Sequence, residues 1–258
     1  MGNDAQAGGV GTRERSIEDV TGGTTHERPG TLYLVATPIG NYDDITFRAV
    51  RILKSADLLI CEERREGERL MRHFGIEKPV ETLNEHNEAA GSHNVLEHLK
   101  AGKTVALVSD CGTPVFSDPG QMLVQKAVAL GIRVIPIPGA SSLMPALTVS
   151  GFSIDQFLFY GWLSPKKERR RAELRALQQE RRTIVLMDTP YRLVPLLRDL
   201  AEAFGATRRI CVALNLTMPD ERTMYGTAPE LHARCAAAET KGEFVIVIEG
   251  KMRDRRAP

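Results

Sequence analysis

Between residues 31 and 137 the apolar positions fall into short blocks, and each block stops abruptly at a polar loop. The blocks at 32–36, 58–61, 80–83, 105–108 and 134–137 are short, partly β-branched and bounded by turn-forming or charged residues, which predicts five strands. The segments between them have helical periodicity. Ile45, Ala49, Ile52 and Leu53 share one face of a first helix, with Asp43 and Asp44 as its expected caps. A charged helix runs on to Phe74 and stops at Gly75; others are expected at 95–99 and at 122–130, before Gly131. Alternation of this kind predicts a parallel sheet. The contrast is sharpest over residues 105–120, VALVSDCGTPVFSDPG. A wholly apolar strand empties there into a stiff loop with two Asp and two Pro, and Asp118 reads as the N-cap of a helix starting at Pro119. Open α/β sheets bind ligands outside the carboxyl ends of their strands, so these loops together form a candidate site.

The pattern changes after Gly151. Strands are predicted at 157–160, 183–187, 210–214 and 244–248, and helices at 166–180, at 193–204 and from Pro229. Strands outnumber what βα alternation allows, so a mixed sheet is expected. The implied organisation is a disordered extension at 1–30, an N-terminal α/β domain at 31–149, a C-terminal α/β domain at 150–250 and a tail at 251–258.

Composition narrows the chemistry. With 34 basic against 33 acidic residues the formal charge is +1, so a polyanionic partner must be met by a local patch. The densest cluster is Lys166, Lys167, Arg169, Arg170 and Arg171, in which helical spacing places Lys166, Arg169 and Arg170 on one side. That side is either a phosphate-contacting surface or a solvated face. The four cysteines show no CxxC pairing and no His at ligand spacing, so no metal is expected and the thiols read as reduced. No run reaches membrane-spanning length, and the first thirty residues lack the apolar core of a secretion signal. A cytoplasmic protein without a membrane partner is expected. Neither a GxxxxGK[ST] loop nor a three-glycine dinucleotide fingerprint is present; residues 37–41 hold one glycine, although Glu62 stands where a ribose-reading carboxylate would. A ligand without phosphate suits these loops better. S-adenosylmethionine is such a ligand: its sulfonium favours carboxylates, its ribose an acceptor, and its aminocarboxylate hydroxyl and main-chain donors.

The segments LYLVATPIGNYDDITFRAVRIL, LNEHNE, VALVSDCGTPVFSDPG, PIPGASSL and KGEFVIVIEG, in that order, resemble the tetrapyrrole methylase superfamily. Within it they are most similar to the ribosomal small-subunit RNA (cytidine-2′-O)-methyltransferases. The resemblance implies a two-domain α/β fold, with a parallel-sheet N-terminal domain and a mixed-sheet C-terminal domain, that binds S-adenosylmethionine in the cleft between them and forms a homodimer. Matched by motif, the cofactor contacts would be Pro38, Asp110, Thr113, Ser141, Ser142, Met187, Ala213 and Gly242. Asp110 also suits that role as an acceptor at a buried strand end; capping of the Gly112 and Thr113 main chain is the alternative. The chain departs from the family pattern at Glu62–Arg65, Asp188–Arg192, Asn215–Met218 and Tyr225–Thr227.

The reaction implied is methyl transfer to a cytidine 2′-oxygen of 16S ribosomal RNA. A small tetrapyrrole-like acceptor, or a binding module without turnover, stays open beside it. The acceptor hydroxyl must lose its proton, for which Glu62, Glu63 and His86 are candidates, with Glu88 beyond them. His86 reads equally as a hydrogen-bonded loop residue. Arg64, Arg65 and Asn87, together with Lys166, Arg169 and Arg170, are candidate acceptor contacts.

Overall fold

The computed structural model describes residues 30–251. The first sheet holds β1 (Thr31–Val35), β2 (Leu58–Cys61), β3 (Val80–Thr82), β4 (Val105–Val108) and β5 (Arg133–Ile137), ordered β3-β2-β4-β1-β5 and parallel throughout. Each residue of β2 and β4 is buried, because helices cover both faces. Ala106 and Val108 turn toward α1 (Phe47–Ser55) and α2 (Arg64–His73), where they meet Ala49, Leu53, Leu70 and Met71. Val105 and Leu107 turn the other way, onto α3 (Glu88–Lys100) and α4 (Gln121–Ala129), meeting Val95, Leu99, Leu123 and Ala127. The neighbours β1 and β4 thus send their following helices to opposite faces. That makes their carboxyl ends the switch point of the sheet, where a crevice opens.

The second sheet holds β6 (Phe157–Trp162), β7 (Thr183–Asp188), β8 (Arg209–Leu214), β9 (Arg222–Thr227) and β10 (Phe244–Ile248), ordered β6-β7-β10-β8-β9. Only the β6–β7 pair is parallel, so the sheet is mixed as expected. Helices α6 (Lys167–Leu177), α7 (Leu193–Phe204) and α8 (Ala228–Ala237) cover one face. On the other face, Ala146 and Leu147 of α5 (Leu143–Val149) pack on Val185, Ala213 and Val247, joined by Ile39 from the first sheet's loops. Although α5 precedes residue 150, it packs on the second sheet.

Local expectations are corrected at several places. Asp43 and Asp44 lie in a 3-10 turn, Tyr42–Asp44, and the cap of α1 is Thr46, whose Oγ1 accepts from the Ala49 amide at 3.0 Å. Helix α4 starts after Gly120, whose φ of 117° suits glycine, so Asp118 and Pro119 lie outside it. Its first amides are met from afar: Glu88 Oε1 accepts from Gly120 at 3.0 Å and Met122 at 3.2 Å. Glu88 thereby caps α4 through one of its two oxygens. β9 is an additional strand. The predicted disorder of 1–30 falls almost wholly outside the described residues; Gly30 itself donates its amide to the Leu99 carbonyl at 2.7 Å.

Candidate active site

Two loops form the switch point. Thr37, after β1, is buried, and its hydroxyl donates to the Ser109 carbonyl at 2.8 Å while its amide donates to the Gly112 carbonyl at 2.8 Å. The paired loops then reach the second sheet. Asn41 donates its amide to Thr217 Oγ1 at 3.1 Å, and a Cβ on Gly40 would lie 2.7 Å from Met218 Cγ. A side chain at that crossing would displace the Met218 and Thr217 side chains.

Two adjoining cavities open around this junction. The larger, about 660 Å³, is walled by Pro38, Tyr42, Glu66, Arg69, Arg72, His73 and Asp110 among others. The smaller, about 210 Å³, includes Thr113, Asp118, Ser141, Ser142, Trp162, Met187 and Ala213. Ile39, Cys111 and Glu243 belong to both walls. Seven of the eight expected cofactor contacts therefore line this pair of cavities. Gly242 does not: it packs against the Asn215 side chain.

The carboxylates set the electrostatics. Asp110 Oδ1 accepts from the Glu63 amide at 3.3 Å, so its side chain ties β4 to the start of α2 rather than capping Gly112 or Thr113. Burial raises the Asp110 carboxyl above its ordinary range, offset in part by that bond and reinforced by Glu66, Glu63 and Asp118. Asp118 is raised by burial too, with the Ser109 hydroxyl drawing it part of the way back, and Glu243 is raised by burial. Asp118 Oδ2 is buried without a hydrogen-bond partner among the described residues. A buried carboxylate oxygen left unpaired costs free energy. Three carboxylates around one junction, each held short of easy ionisation, suit a cationic occupant.

The expected proton acceptors are placed differently. Glu62 is half-buried and raised by burial and by the charges of Asp118 and Asp110, yet neither it nor Glu63 lines a cavity. His86 is turned to solvent, with its side chain 85% exposed and 3.6 Å from Glu85. Asn87 shapes its own loop: Oδ1 accepts from the Asn84 amide at 2.8 Å and Nδ2 donates to the Thr82 carbonyl at 3.1 Å. Arg64 and Arg65 are exposed at the start of α2, Arg64 beside Glu68 at 3.6 Å.

The basic cluster of α6 is also corrected. Arg170 is buried and paired with Asp199 at 2.7 Å, which removes it from any phosphate-contacting side. Arg171 joins Asp199 and Glu202, and Arg169 pairs with Glu173 at 3.3 Å, leaving Lys166 and Lys167 exposed. Tyr42, Arg69, Arg72, His73 and Glu243 enter the site without having been singled out in the sequence. The spacing of Arg69, Arg72 and His73 on one helix side was the available signal for three of them. Asn215 and Tyr225, at two of the departures from the family pattern, serve the fold: Asn215 Nδ2 donates to Asp220 at 2.6 Å and Tyr225 Oη to the Val149 carbonyl at 2.6 Å.

Comparison with known proteins adds independent support. Residues 31–232 match the family model of the tetrapyrrole (corrin/porphyrin) methylases. A Pseudomonas aeruginosa protein named ribosomal RNA small subunit methyltransferase I is 43% identical over 223 residues, 86% of this chain and 79% of that one. A protein of the same name from Synechocystis sp. is 45% identical over 221 residues, again 86% of this chain and 79% of its own. Among solved structures, uroporphyrin-III-C-methyltransferase from Thermus thermophilus has a TM-score of 0.60 at 19% identity, covering 85% of this chain and 94% of its own. A cobalt precorrin-4 methyltransferase has a TM-score of 0.64 at 16% identity with the same coverages, 85% and 94%. At those identities the solved structures speak for the fold, and the family match and the closer relatives for descent. With the fold and most of the sequence in agreement, the chain belongs to the tetrapyrrole (corrin/porphyrin) methylases and is a methyltransferase.

Proposed function

We propose that this methyltransferase uses S-adenosylmethionine to methylate a cytidine 2′-oxygen in 16S ribosomal RNA, acting as a cytoplasmic homodimer. The observation that carries the reading is the unpartnered Asp118 oxygen in a cleft where Asp110 and Glu243 are raised by burial. A cation carrying N–H and O–H donors answers both features. The names of the relatives favour ribosomal RNA as the acceptor. Among the described residues no helix is long and apolar enough to cross a membrane.

The smaller cavity alone, about 210 Å³, is below the roughly 300–1,000 Å³ common for such ligands. The cofactor would therefore extend past Ile39, Cys111 and Glu243 into the larger cavity. Thr113, Ser141 and Ser142 offer hydroxyl and main-chain groups, Met187 and Ala213 an apolar wall, and Asp118 an acceptor. When bound, S-adenosylmethionine supplies an electrophilic methyl on its sulfonium. The protein must then position the acceptor hydroxyl and take its proton. Asp110 is the proposed proton acceptor, because it lines the larger cavity, Glu63 occupies only one of its oxygens, and its raised pKa brings it closer to the working pH.

The test is incubation with small-subunit ribosomal RNA and methyl-labelled S-adenosylmethionine, followed by nucleoside mass spectrometry. Label on 2′-O-methylcytidine is expected. Cofactor binding without label on any nucleoside overturns the RNA reading; labelling of a tetrapyrrole would then name the acceptor class.

A further inference from the structure

α1 and α2 lie together on one face of the first sheet, and both are rich in cations. α1 carries Arg48, Arg51 and Lys54 and no carboxylate; α2 carries Arg64, Arg65, Arg69 and Arg72 against Glu66 and Glu68. Arg51, Lys54 and Arg72 make no ion pair among the described residues, unlike most of the arginines of α6. Aromatic rings lie among these cations. Phe47, the first residue of α1, is 95% exposed. Tyr42 stacks on His73 with centroids 3.9 Å apart and planes 14° from parallel, and Phe74 meets Tyr42 edge-on at 6.0 Å.

Tyr42 also connects two concavities. It belongs to the wall of the larger active-site cavity and to an open groove of about 910 Å³ formed with Phe47, Arg51, Lys54 and Phe74, in which Asp43 is the one carboxylate. The surface therefore runs without a break from the exposed Phe47, past the Tyr42–His73 stack, to Asp110. A purely apolar groove would suit another protein surface. Unpaired cations interleaved with open rings suit a single-stranded nucleic acid, whose phosphates need charge and whose bases need stacking surfaces.

We propose that the α1–α2 face binds a single-stranded RNA segment and leads it into the larger cavity. Arg51, Lys54 and Arg72 contact phosphates, while Phe47 and the Tyr42–His73 pair stack on bases. This rests on the RNA reading above and moves the docking surface from α6 to the opposite part of the chain.

Fluorescence anisotropy with a fluorescein-labelled oligocytidylate, across a salt series, tests it. Replacing Arg51 and Lys54 together by Gln should lower the salt slope by about 1.4, the value for two phosphate contacts on a single strand. Phe47→Ala should weaken binding about tenfold, in the range for loss of one stacked base. Lys167→Gln with Arg175→Gln on α6 should change neither quantity. Calorimetric S-adenosylmethionine affinity should be equal in all variants, which shows that each is folded. Unchanged slope and affinity in the α1 variants, with a wild type that binds, overturns the surface alone. A wild type that fails to bind at low salt overturns the RNA reading and the surface with it. Conversion of a dimer to a monomer by Phe47→Ala, without loss of RNA affinity, assigns the face to a second copy of the chain and overturns the proposal.

Discussion

Thr37 and Ser109 join the two central strands of the first sheet beyond the point where the strands themselves end: the Thr37 hydroxyl donates to the Ser109 carbonyl at 2.8 Å, and Thr37 is 2% exposed. The bond sets the spacing between the Pro38 loop and the Asp110 loop, and hence the width of the crevice. Thr37→Val keeps the shape and deletes the donor, leaving a buried carbonyl short of one partner. A loss of about 1–3 kcal/mol in urea unfolding is expected, with weaker S-adenosylmethionine binding beside it. Equal stability of the variant and the wild type would show that the loops hold their spacing without this bond.

Glu88 and Asp118 exchange the roles that the sequence suggested. Glu88 caps α4 through Gly120 and Met122, while Asp118 stands in the wall of the smaller cavity and keeps one buried oxygen unpaired. Glu88→Ala should therefore cost about 0.5–2 kcal/mol of stability, the range for a lost helix cap, and leave cofactor affinity within error. Asp118→Asn should do the reverse: stability maintained or raised, and S-adenosylmethionine affinity reduced by about 1.5–3 kcal/mol in calorimetry, the range for a charge-assisted bond. If Asp118→Asn lowers the melting temperature and leaves binding untouched, Asp118 is a structural residue.

The contrast between these two residues shows which information was local. β2 and β4 were legible because four consecutive apolar residues between polar boundaries can be satisfied only by burial on both faces. The cap of α4 was not, since its partner lies 32 residues away in sequence and is brought close only by packing of α3 on α4. β9 escaped notice because, as an edge strand, it buries Met224 and leaves Arg222 and Tyr225 exposed, so it presents little apolar pattern. The loops of the cofactor cleft were legible by resemblance and by their polar punctuation. Tyr42, Arg69, Arg72 and His73 converge only once α2 lies against the 3-10 turn, an arrangement with no signature in either segment alone.

The raised carboxyls make binding and stability respond to pH in opposite senses. Asp110, Asp118 and Glu243 have folded-state pKa values above their ordinary ones, so the folded apo-protein holds protons that the unfolded chain releases. Their contribution to stability is complete below the ordinary carboxylate range, near pH 4, and is lost as pH rises through the folded values. A cation in the cleft prefers the ionised form, so S-adenosylmethionine affinity should rise over the same interval. Calorimetry from pH 4 upward, in wild type and Asp118→Asn, reads this directly, since carboxylates elsewhere such as Glu180, held at about 2 by Arg182, cancel in the comparison. A pH dependence of affinity identical in both proteins would exclude Asp118 as a source of the effect.

Arg170 and Asp199 give the last prediction. On α6, Arg170 shares a face with Leu174 and Leu177, both buried, and that apolar stripe turns it inward although four other cations surround it in sequence. It meets Asp199, whose side chain is fully buried on α7 between Leu196 and Leu200, and its Nη1 also donates to the Ser164 and Pro165 carbonyls at 3.3 and 3.1 Å. Removing one member leaves the other charged and buried. Asp199→Ala should therefore cost about 3–5 kcal/mol in denaturant unfolding, whereas Arg170→Met combined with Asp199→Leu should cost far less, because no charge is stranded. Lys166→Gln, exposed one turn away, should stay within about 0.5 kcal/mol of wild type. If Asp199→Ala is as mild as Lys166→Gln, water reaches the pair, and Arg170 is again available to a phosphate on the outer surface.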